Sequence, residues 1–159
     1  MNILKFRDGY IGNPQLIYCG RPRQNNYYLG QLLIGLGNPY AWKPGTKAKF
    51  KVANLQESLE CYRGFTWKLI KAAKDGQLFT LEAWEYHYFL CMEALAIAIK
   101  RKLVKGVVCF CVNIEDYTPN SNSDQFCHTQ ILLDACYWMI DNDMVDKEPQ
   151  ADLVKLWNS

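Results

Sequence analysis

Two cysteine motifs have the clearest capacity for chemistry in this sequence. Cys109-Phe110-Cys111 ends an apolar run, and Cys127-His128 follows further along the chain. Side chains alternate along a strand, so both thiols of the first motif would point to one face of a sheet. A thiol at the start of a helix has a lowered pKa because the helix dipole favours negative charge. The second motif is therefore a candidate reactive centre if it opens a helix.

Three interpretations of these motifs stay open. In the first, Cys127 and His128 form a catalytic pair that contacts or attacks a ligand, with Cys111 and Thr129 beside it as ligand contacts. In the second, Cys109, Cys111, Cys127 and His128 bind zinc, because thiolate and imidazole are zinc ligands. In the third, the thiols pack as small hydrophobic groups. Zinc is the one cofactor that the residues suggest.

An anion-binding motif is predicted closer to the start of the chain. Gly20-Arg21-Pro22-Arg23 follows a short apolar strand, and the guanidinium groups of Arg21 and Arg23 can grip phosphate while Gly20 lets the backbone come close. Asn38 could face a base or a ribose. The alternatives are a solvated turn for the first motif and a rigid turn before Pro39 for the second.

Strands and helices alternate along the chain. Residues 2–7, 15–19 and 106–112 are predicted strands, the last buried on both faces because it is a continuous apolar run. Residues 20–51 are predicted to be a long irregular segment, which in a compact domain is usually functional. This order predicts an α/β fold with a small, mainly parallel sheet flanked by helices in a Rossmann-like three-layer arrangement.

Three helices are predicted from apolar spacing and capping residues. The first begins at Asn54 with Glu57 completing a capping box, and ends at Gly76. The second begins near Thr80, and the third runs from about residue 126 to 141, with a short helix expected at 152–157. Ligands bind beyond the carboxyl ends of parallel strands, so Gly20, Cys111 and the start of the third helix should converge there.

Length and composition favour one domain over residues 1–159. Seven cysteines, an odd number, and a first segment without the pattern of a secretory leader predict reduced thiols in a cytoplasm, of a bacterial cell or a phage-infected host. The most apolar stretch, residues 91–99, is too short to cross a bilayer. No membrane partner is expected.

Charge is unevenly distributed. Residues 1–52 carry eight Lys and Arg against one acid, whereas the full chain has a net charge of +2. The basic part favours a phosphate-bearing partner. The alternative is that Lys43, Lys47, Lys49 and Lys51 are a solvated row. A balanced net charge and the absence of a recognition motif argue against a nucleic-acid partner.

These motifs, with Gly37-Asn38-Pro39-Tyr40 and Tyr62-Arg63, resemble a small family of bacterial and phage proteins known only as a domain of unknown function. The matches span residues 17–140 in the family's order. Two departures are a longer loop between Val112 and Phe126 and an added helix within residues 77–100. The resemblance implies an α/β fold and brings no established activity.

Two classes of function follow from the residues. The first is binding of a nucleotide-like or other phosphorylated small molecule at the carboxyl edge of the sheet, to process it as an enzyme or to sequester it as a phage or bacterial accessory protein. The second is a protein-interaction module stabilised by a Cys/His zinc site, or a homo-oligomer whose subunit contact is the aromatic turn at 84–88. Sequence alone does not choose between enzyme and binder.

Overall fold

The computed structural model describes residues 1–10, 13–21, 27–29, 32–119 and 124–145. Within these ranges the helices are α1 (Leu55–Lys74), α2 (Ala83–Lys100) and α3 (His128–Asp141). The strands are β1 (Asn2–Lys5), β2 (Leu16–Tyr18), β3 (Tyr27–Leu29), β4 (Leu32–Ile34), β5 (Tyr40–Ala41), β6 (Phe50–Lys51) and β7 (Gly106–Cys109).

The main sheet has three strands in the order β1-β7-β2, and β7 pairs in parallel with both neighbours. Val107 faces Ile3 on one side and Ile17 on the other. All four residues of β7 are buried, as expected for a β-branched central strand. The predicted α/β class with a small parallel sheet is confirmed.

Two predicted helix starts are explained by capping residues. The Asn54 side chain accepts a hydrogen bond from the backbone N–H of Glu57 at 2.8 Å, and the Glu57 carboxylate accepts one from the N–H of Ala53 at 2.9 Å. The predicted first helix is confirmed. The second begins at Ala83 rather than near Thr80, because Glu82 and Glu85 form its capping box.

The helices form one apolar core. α3 packs against both α1 and α2, and Leu132, Leu133 and Met139 of α3 are fully buried. α2 is buried around most of its circumference from Tyr88 onward. Of the helices that the structure describes, none combines the length and apolarity needed to cross a bilayer.

The segment predicted to be irregular contains four short strands, so that prediction was wrong in part. β3 and β4 form an antiparallel pair, whereas β5 and β6 pair in parallel. Strands of two or three residues are too short to produce a readable alternation of apolar and polar residues. The helix expected at 152–157 lies outside the described residues.

Candidate functional site

The start of α3 meets the end of β2, as predicted from the parallel sheet. The imidazole Nε2 of His128 lies 2.7 Å from the carbonyl oxygen of Cys19 and 3.0 Å from that of Leu36. Cys19 and Leu36 flank Gly20 and Gly37, and these two glycines are themselves in close contact. Segments that are distant in sequence therefore converge beyond the carboxyl ends of the strands.

The thiols of Cys109, Cys111 and Cys127 shift one another's pKa, and we call these three residues the thiol cluster. The prediction that Cys109 and Cys111 lie on one face of a continuous strand was wrong. β7 ends at Cys109 instead of continuing to Val112, and the chain then bends, so that the Cys109 thiol lies 3.7 Å from the Val112 carbonyl oxygen. Cys109 and Cys127 are buried, whereas Cys111 is exposed.

Cys127 is the N-cap of α3. Its sulfur accepts a hydrogen bond from the backbone N–H of Gln130 and another, at 3.1 Å, from the hydroxyl of Thr129. The Gln130 side chain returns the contact by accepting from the N–H of Cys127 at 3.1 Å. Cysteine here takes the position that Ser, Thr, Asp or Asn usually occupies.

Hydrogen bonding within the thiol cluster decides where a negative charge would reside. Bonds from Cys111 and Cys127 lower the pKa of Cys109, and the bond to Cys109 raises the pKa of Cys111 and Cys127. The expectation that the helix dipole lowers the pKa of Cys127 was therefore wrong. The three thiols therefore favour a single thiolate, on Cys109.

The two predicted catalytic side chains are buried. Cys127 is 1% exposed and His128 is 7% exposed. His128 uses its Nε2–H as a donor to two backbone carbonyls, and its Nδ1 lies 3.8 Å from the Cys127 sulfur. Burial lowers the pKa of His128, which keeps the ring neutral. The geometry makes His128 a positioning residue that joins α3 to β2.

The predicted zinc ligands are not assembled as a metal site. Within the described ranges, no group of three or more His, Cys, Asp or Glu side chains is placed to hold a metal ion. Nε2 of His128 is occupied by two carbonyl oxygens, and its Nδ1 lies 3.8 Å from the Cys127 sulfur.

Arg21 and Asn38 fix a turn. Arg21 donates from Nε to the carbonyl oxygen of Asn38 and from Nη2 to that of Tyr40, both at 3.1 Å. The Asn38 side chain accepts from the N–H of Tyr40 and donates to the hydroxyl of Ser58, both at 2.9 Å. The predicted contact of Asn38 with a base or ribose is therefore replaced by a structural turn.

The remaining predicted ligand contacts differ in accessibility. Thr129 is fully buried and donates to Cys127, so it does not face a ligand. Gly20 is half-buried, and a Cβ at this position would meet the Tyr18 ring. Cys111 is exposed. Arg23 lies outside the described residues.

A cleft of about 420 Å³ lies beside this convergence point, on the Arg21 side. The fixed turn at Asn38 and the first residues of α2 form its walls, and none of the described residues that line it is an acid. The lining residues are Arg21, Gly35, Gly37, Asn38, Pro39, Lys47, Ala48, Lys49, Trp84, His87 and Tyr88. Most of this surface is apolar, and its cations are Arg21, Lys47 and Lys49.

Lys47 and Lys49 are functional candidates that the sequence did not single out from the row of four lysines. The Lys49 ammonium lies 4.5 Å from the centroid of the Trp84 ring. Trp84 stacks on Phe65, with ring centroids 5.3 Å apart. The aromatic turn predicted as a subunit contact therefore packs largely within the chain, where Tyr88 is buried. The sequence signals available for this site were the lysines on either side of Ala48 and the aromatic residues at the start of α2.

No family model matches this chain, and no curated protein or solved structure shows a significant match to it. The resemblance to the domain of unknown function stays a prediction. The chemistry of the cleft and of the thiol cluster is inferred from their residues alone.

Proposed function

We propose that the protein binds a nucleotide-like, phosphorylated aromatic small molecule in the cleft between the Asn38 turn and α2. The observation that carries this proposal is the presence of an aromatic wall and three cations in one concave site whose described lining residues include no acid. The cleft's volume of about 420 Å³ lies within the ~300–1,000 Å³ of small-molecule pockets. Such pockets are mainly apolar with a few polar groups that fix orientation.

The aromatic wall supports recognition of a planar ring. Trp84 is half-buried and held from behind by its stack on Phe65, so a ligand ring would meet a preorganised indole. Lys49 contacts this indole through a cation–π interaction in the free protein. A ligand ring would compete with the Lys49 ammonium for the indole and release that charge for another partner.

The cations support recognition of phosphate. Lys47 and Lys49 are exposed, and neither makes a salt bridge within the part of the chain that the structure describes. The two bonds of Arg21 use Nε and Nη2, which leaves Nη1 for an anionic ligand. Because the Arg21 guanidinium is bonded to the turn at two carbonyl oxygens, its positive charge is held in one position.

This location refines the expectation from sequence. The start of α3 was expected to hold the phosphate, but His128 at that start is buried under the carbonyl oxygens of Cys19 and Leu36. The proposed ligand therefore lies beside the carboxyl edge of the sheet, next to Arg21. Sequestration and turnover of the ligand are both compatible with this position.

Calorimetric titration with AMP, adenosine and inorganic phosphate tests the proposal. We expect AMP to bind more tightly than either fragment, because ring and phosphate contacts contribute together. Lys49→Gln should weaken AMP binding by about tenfold, or ~1.4 kcal/mol, and should not weaken adenosine binding, because the adenine ring no longer competes with the Lys49 ammonium for Trp84. Trp84→Leu should weaken both. Arg21 is unsuitable for this test because its substitution would also disturb the turn.

Lys43→Gln and Trp67→Leu are matched controls, because both residues are exposed and lie outside the cleft. They should bind AMP like the unmodified protein. Absence of AMP binding, or equal losses in Lys43→Gln and Lys49→Gln, would contradict the proposal. Chromatography of AMP after prolonged incubation then separates an enzyme, which yields a new product, from a binder, which returns AMP.

A further inference from the structure

We infer that the protein binds a quaternary ammonium compound in a second cavity, which we call the aromatic cavity. It has a volume of about 450 Å³ and lies where β5 and β6 meet α1 and the start of α2. Four aromatic side chains and two carboxylates line it, and Lys68 is the one cation among its described lining residues. Trp84 lines both this cavity and the proposed ligand cleft, whereas Lys47 and Lys49 line the cleft.

The four rings of the aromatic cavity contact one another in a closed cycle. The ring centroid of Tyr40 lies 5.1 Å from that of Phe50 and 6.4 Å from that of Phe65. The Trp84 centroid lies 6.1 Å from that of Phe50 and 5.3 Å from that of Phe65. Phe50 is 44% exposed and Tyr40 is half-buried, so a ligand can reach these rings from solvent. Because the faces of aromatic rings carry partial negative charge, such a lining attracts a cation.

The carboxylates give the aromatic cavity an excess of negative charge. Oε2 of the buried Glu85 lies 2.6 Å from Nζ of Lys68, so an ammonium of the chain itself already lies at this wall. Glu82 is exposed and makes no salt bridge within the part of the chain that the structure describes. Its Oε2 accepts a hydrogen bond from the Trp84 Nε1–H at 2.8 Å, which holds a negative charge at the edge of the indole. The charge of Glu82 is therefore available to a cationic ligand.

The hydrogen bonds at this wall favour a quaternary ammonium over a primary one. A primary ammonium has three N–H donors that need acceptors. The Glu85 oxygens already accept from Lys68 and, at 3.0 Å, from the backbone N–H of Glu82, and Glu82 accepts from Trp84. A quaternary ammonium has no N–H donor, and its charge is spread over apolar methyl groups. It therefore interacts with the rings and with the carboxylate charge without needing a hydrogen bond.

Calorimetric titration with choline, and with the uncharged analogue of choline in which carbon replaces nitrogen, tests this inference. The analogue keeps the shape of the ligand, so the comparison measures the contribution of the positive charge. We expect choline to bind at least about tenfold more tightly than the analogue, since cation–π contacts and attraction to a carboxylate act on choline alone.

Two variants locate the bound choline. Phe50→Leu should weaken choline binding about fivefold, because it removes one ring and keeps an apolar side chain. Glu82→Gln should weaken it about threefold, because glutamine can keep the bond from the Trp84 indole but lacks the charge. Phe79→Leu and Glu60→Gln are matched controls, because both residues are exposed and lie outside the cavity. The controls should bind choline like the unmodified protein.

Absence of choline binding, or equal affinity for choline and its uncharged analogue, would overturn the inference. Equal losses in Phe50→Leu and Phe79→Leu would also overturn it, because choline would then bind elsewhere. The two proposed sites can fail separately. Lys49→Gln, which should weaken AMP binding in the cleft, should not weaken choline binding, and Glu82→Gln should not weaken AMP binding.

Discussion

The Nε2 atom of His128 lies 2.7 Å from the carbonyl oxygen of Cys19. This bond joins the first residue of α3 to the residue after β2, and the same N–H also reaches the carbonyl oxygen of Leu36. A buried carbonyl without a partner would cost about 1–3 kcal/mol. His128 therefore stabilises the convergence of strand, turn and helix by satisfying backbone groups that the convergence buries.

Stability should fall as the solution is made mildly acidic, because of His128. Burial lowers the pKa of His128 in the folded protein, whereas an unfolded histidine titrates near about 6.5. The unfolded chain thus binds a proton first. The free energy of unfolding should be constant above about pH 7 and decrease as the pH falls through about 6.5 toward the folded pKa. Urea unfolding between pH 7.5 and 5.5 measures this decrease.

His128→Gln provides the control for that experiment. Glutamine can donate from its own Nε2, but it does not titrate, so the decrease in this pH range should become smaller. His87, which lies in the cleft wall, is the other histidine of the chain. His87→Gln should retain the decrease. An unchanged slope in His128→Gln would show that another group causes it.

Tyr88→Phe should destabilise the protein more than Tyr62→Phe. The Tyr62 and Tyr88 hydroxyls are 2.6 Å apart, and the Tyr88 hydroxyl donates to the carbonyl oxygen of Leu36 at 3.0 Å. Removing the Tyr88 hydroxyl leaves the fully buried Tyr62 hydroxyl without this acceptor, at a cost of about 1–3 kcal/mol. Removing the Tyr62 hydroxyl leaves the bond to Leu36 in place and should cost about 0.5–1.5 kcal/mol.

Urea unfolding of the two variants and of Tyr86→Phe measures this difference. Tyr86 is exposed, so its hydroxyl should contribute little. The double variant should lose less stability than the sum of the single losses, because both remove the same bond. Equal losses of stability in Tyr62→Phe and Tyr88→Phe would contradict donation from the Tyr62 hydroxyl to the Tyr88 hydroxyl.

Arg21→Lys should destabilise the turn although it keeps the charge. The Arg21 guanidinium bonds two carbonyl oxygens, of Asn38 and Tyr40, and an ammonium on a flexible stem cannot reproduce this fork. We expect the free energy of unfolding to fall by about 1–2 kcal/mol, near the low end for bonds to charged groups because Arg21 is half-buried. Thermal unfolding measures it, with the exposed Arg7→Lys as the control. Equal melting temperatures for both variants would contradict this role.

The sequence predicted the parts of the fold that depend on local signals. Asn54 and Glu57 mark the start of α1, and the apolar run from Gly106 marks the central strand, because capping and strand burial are properties of neighbouring residues. The meeting of the end of β2 with His128 also followed, since parallel strands place their carboxyl ends at one edge of the sheet.

The roles of individual site residues could not be predicted in the same way. Asn38 was expected to face a ligand, but its amide is used by Tyr40 and Ser58, and only the tertiary structure brings Ser58 to it. Lys49 belonged to a basic segment that predicted either a phosphate-bearing partner or a solvated row, and folding places its exposed side chain over Trp84 of α2. Which polar side chain is satisfied internally depends on contacts between distant segments, and a single sequence does not display these contacts.

Gly37→Ala should be strongly destabilising, whereas Gly64→Ala should stabilise the protein. A Cβ at Gly37 would lie 2.8 Å from the Cα of Arg21 and 2.9 Å from the carbonyl oxygen of Gly20. These are backbone atoms and cannot move aside without separating the turn from the end of β2. At Gly64, an exposed position within α1, a Cβ would meet nothing within 4 Å. Alanine there should add about 0.5–1 kcal/mol of stability.

Calorimetric unfolding of the two variants gives the comparison, since the chemical change is the same in both. Gly37→Ala should also weaken AMP binding. Gly37 and Arg21 are in close contact and both line the cleft, so separating them disturbs one of its walls. Gly64→Ala should bind AMP like the unmodified protein. If Gly37→Ala melted at or above the temperature of the unmodified protein, the close contact between Gly37 and Arg21 would not exist in solution, and the wall of the cleft would have to be placed elsewhere.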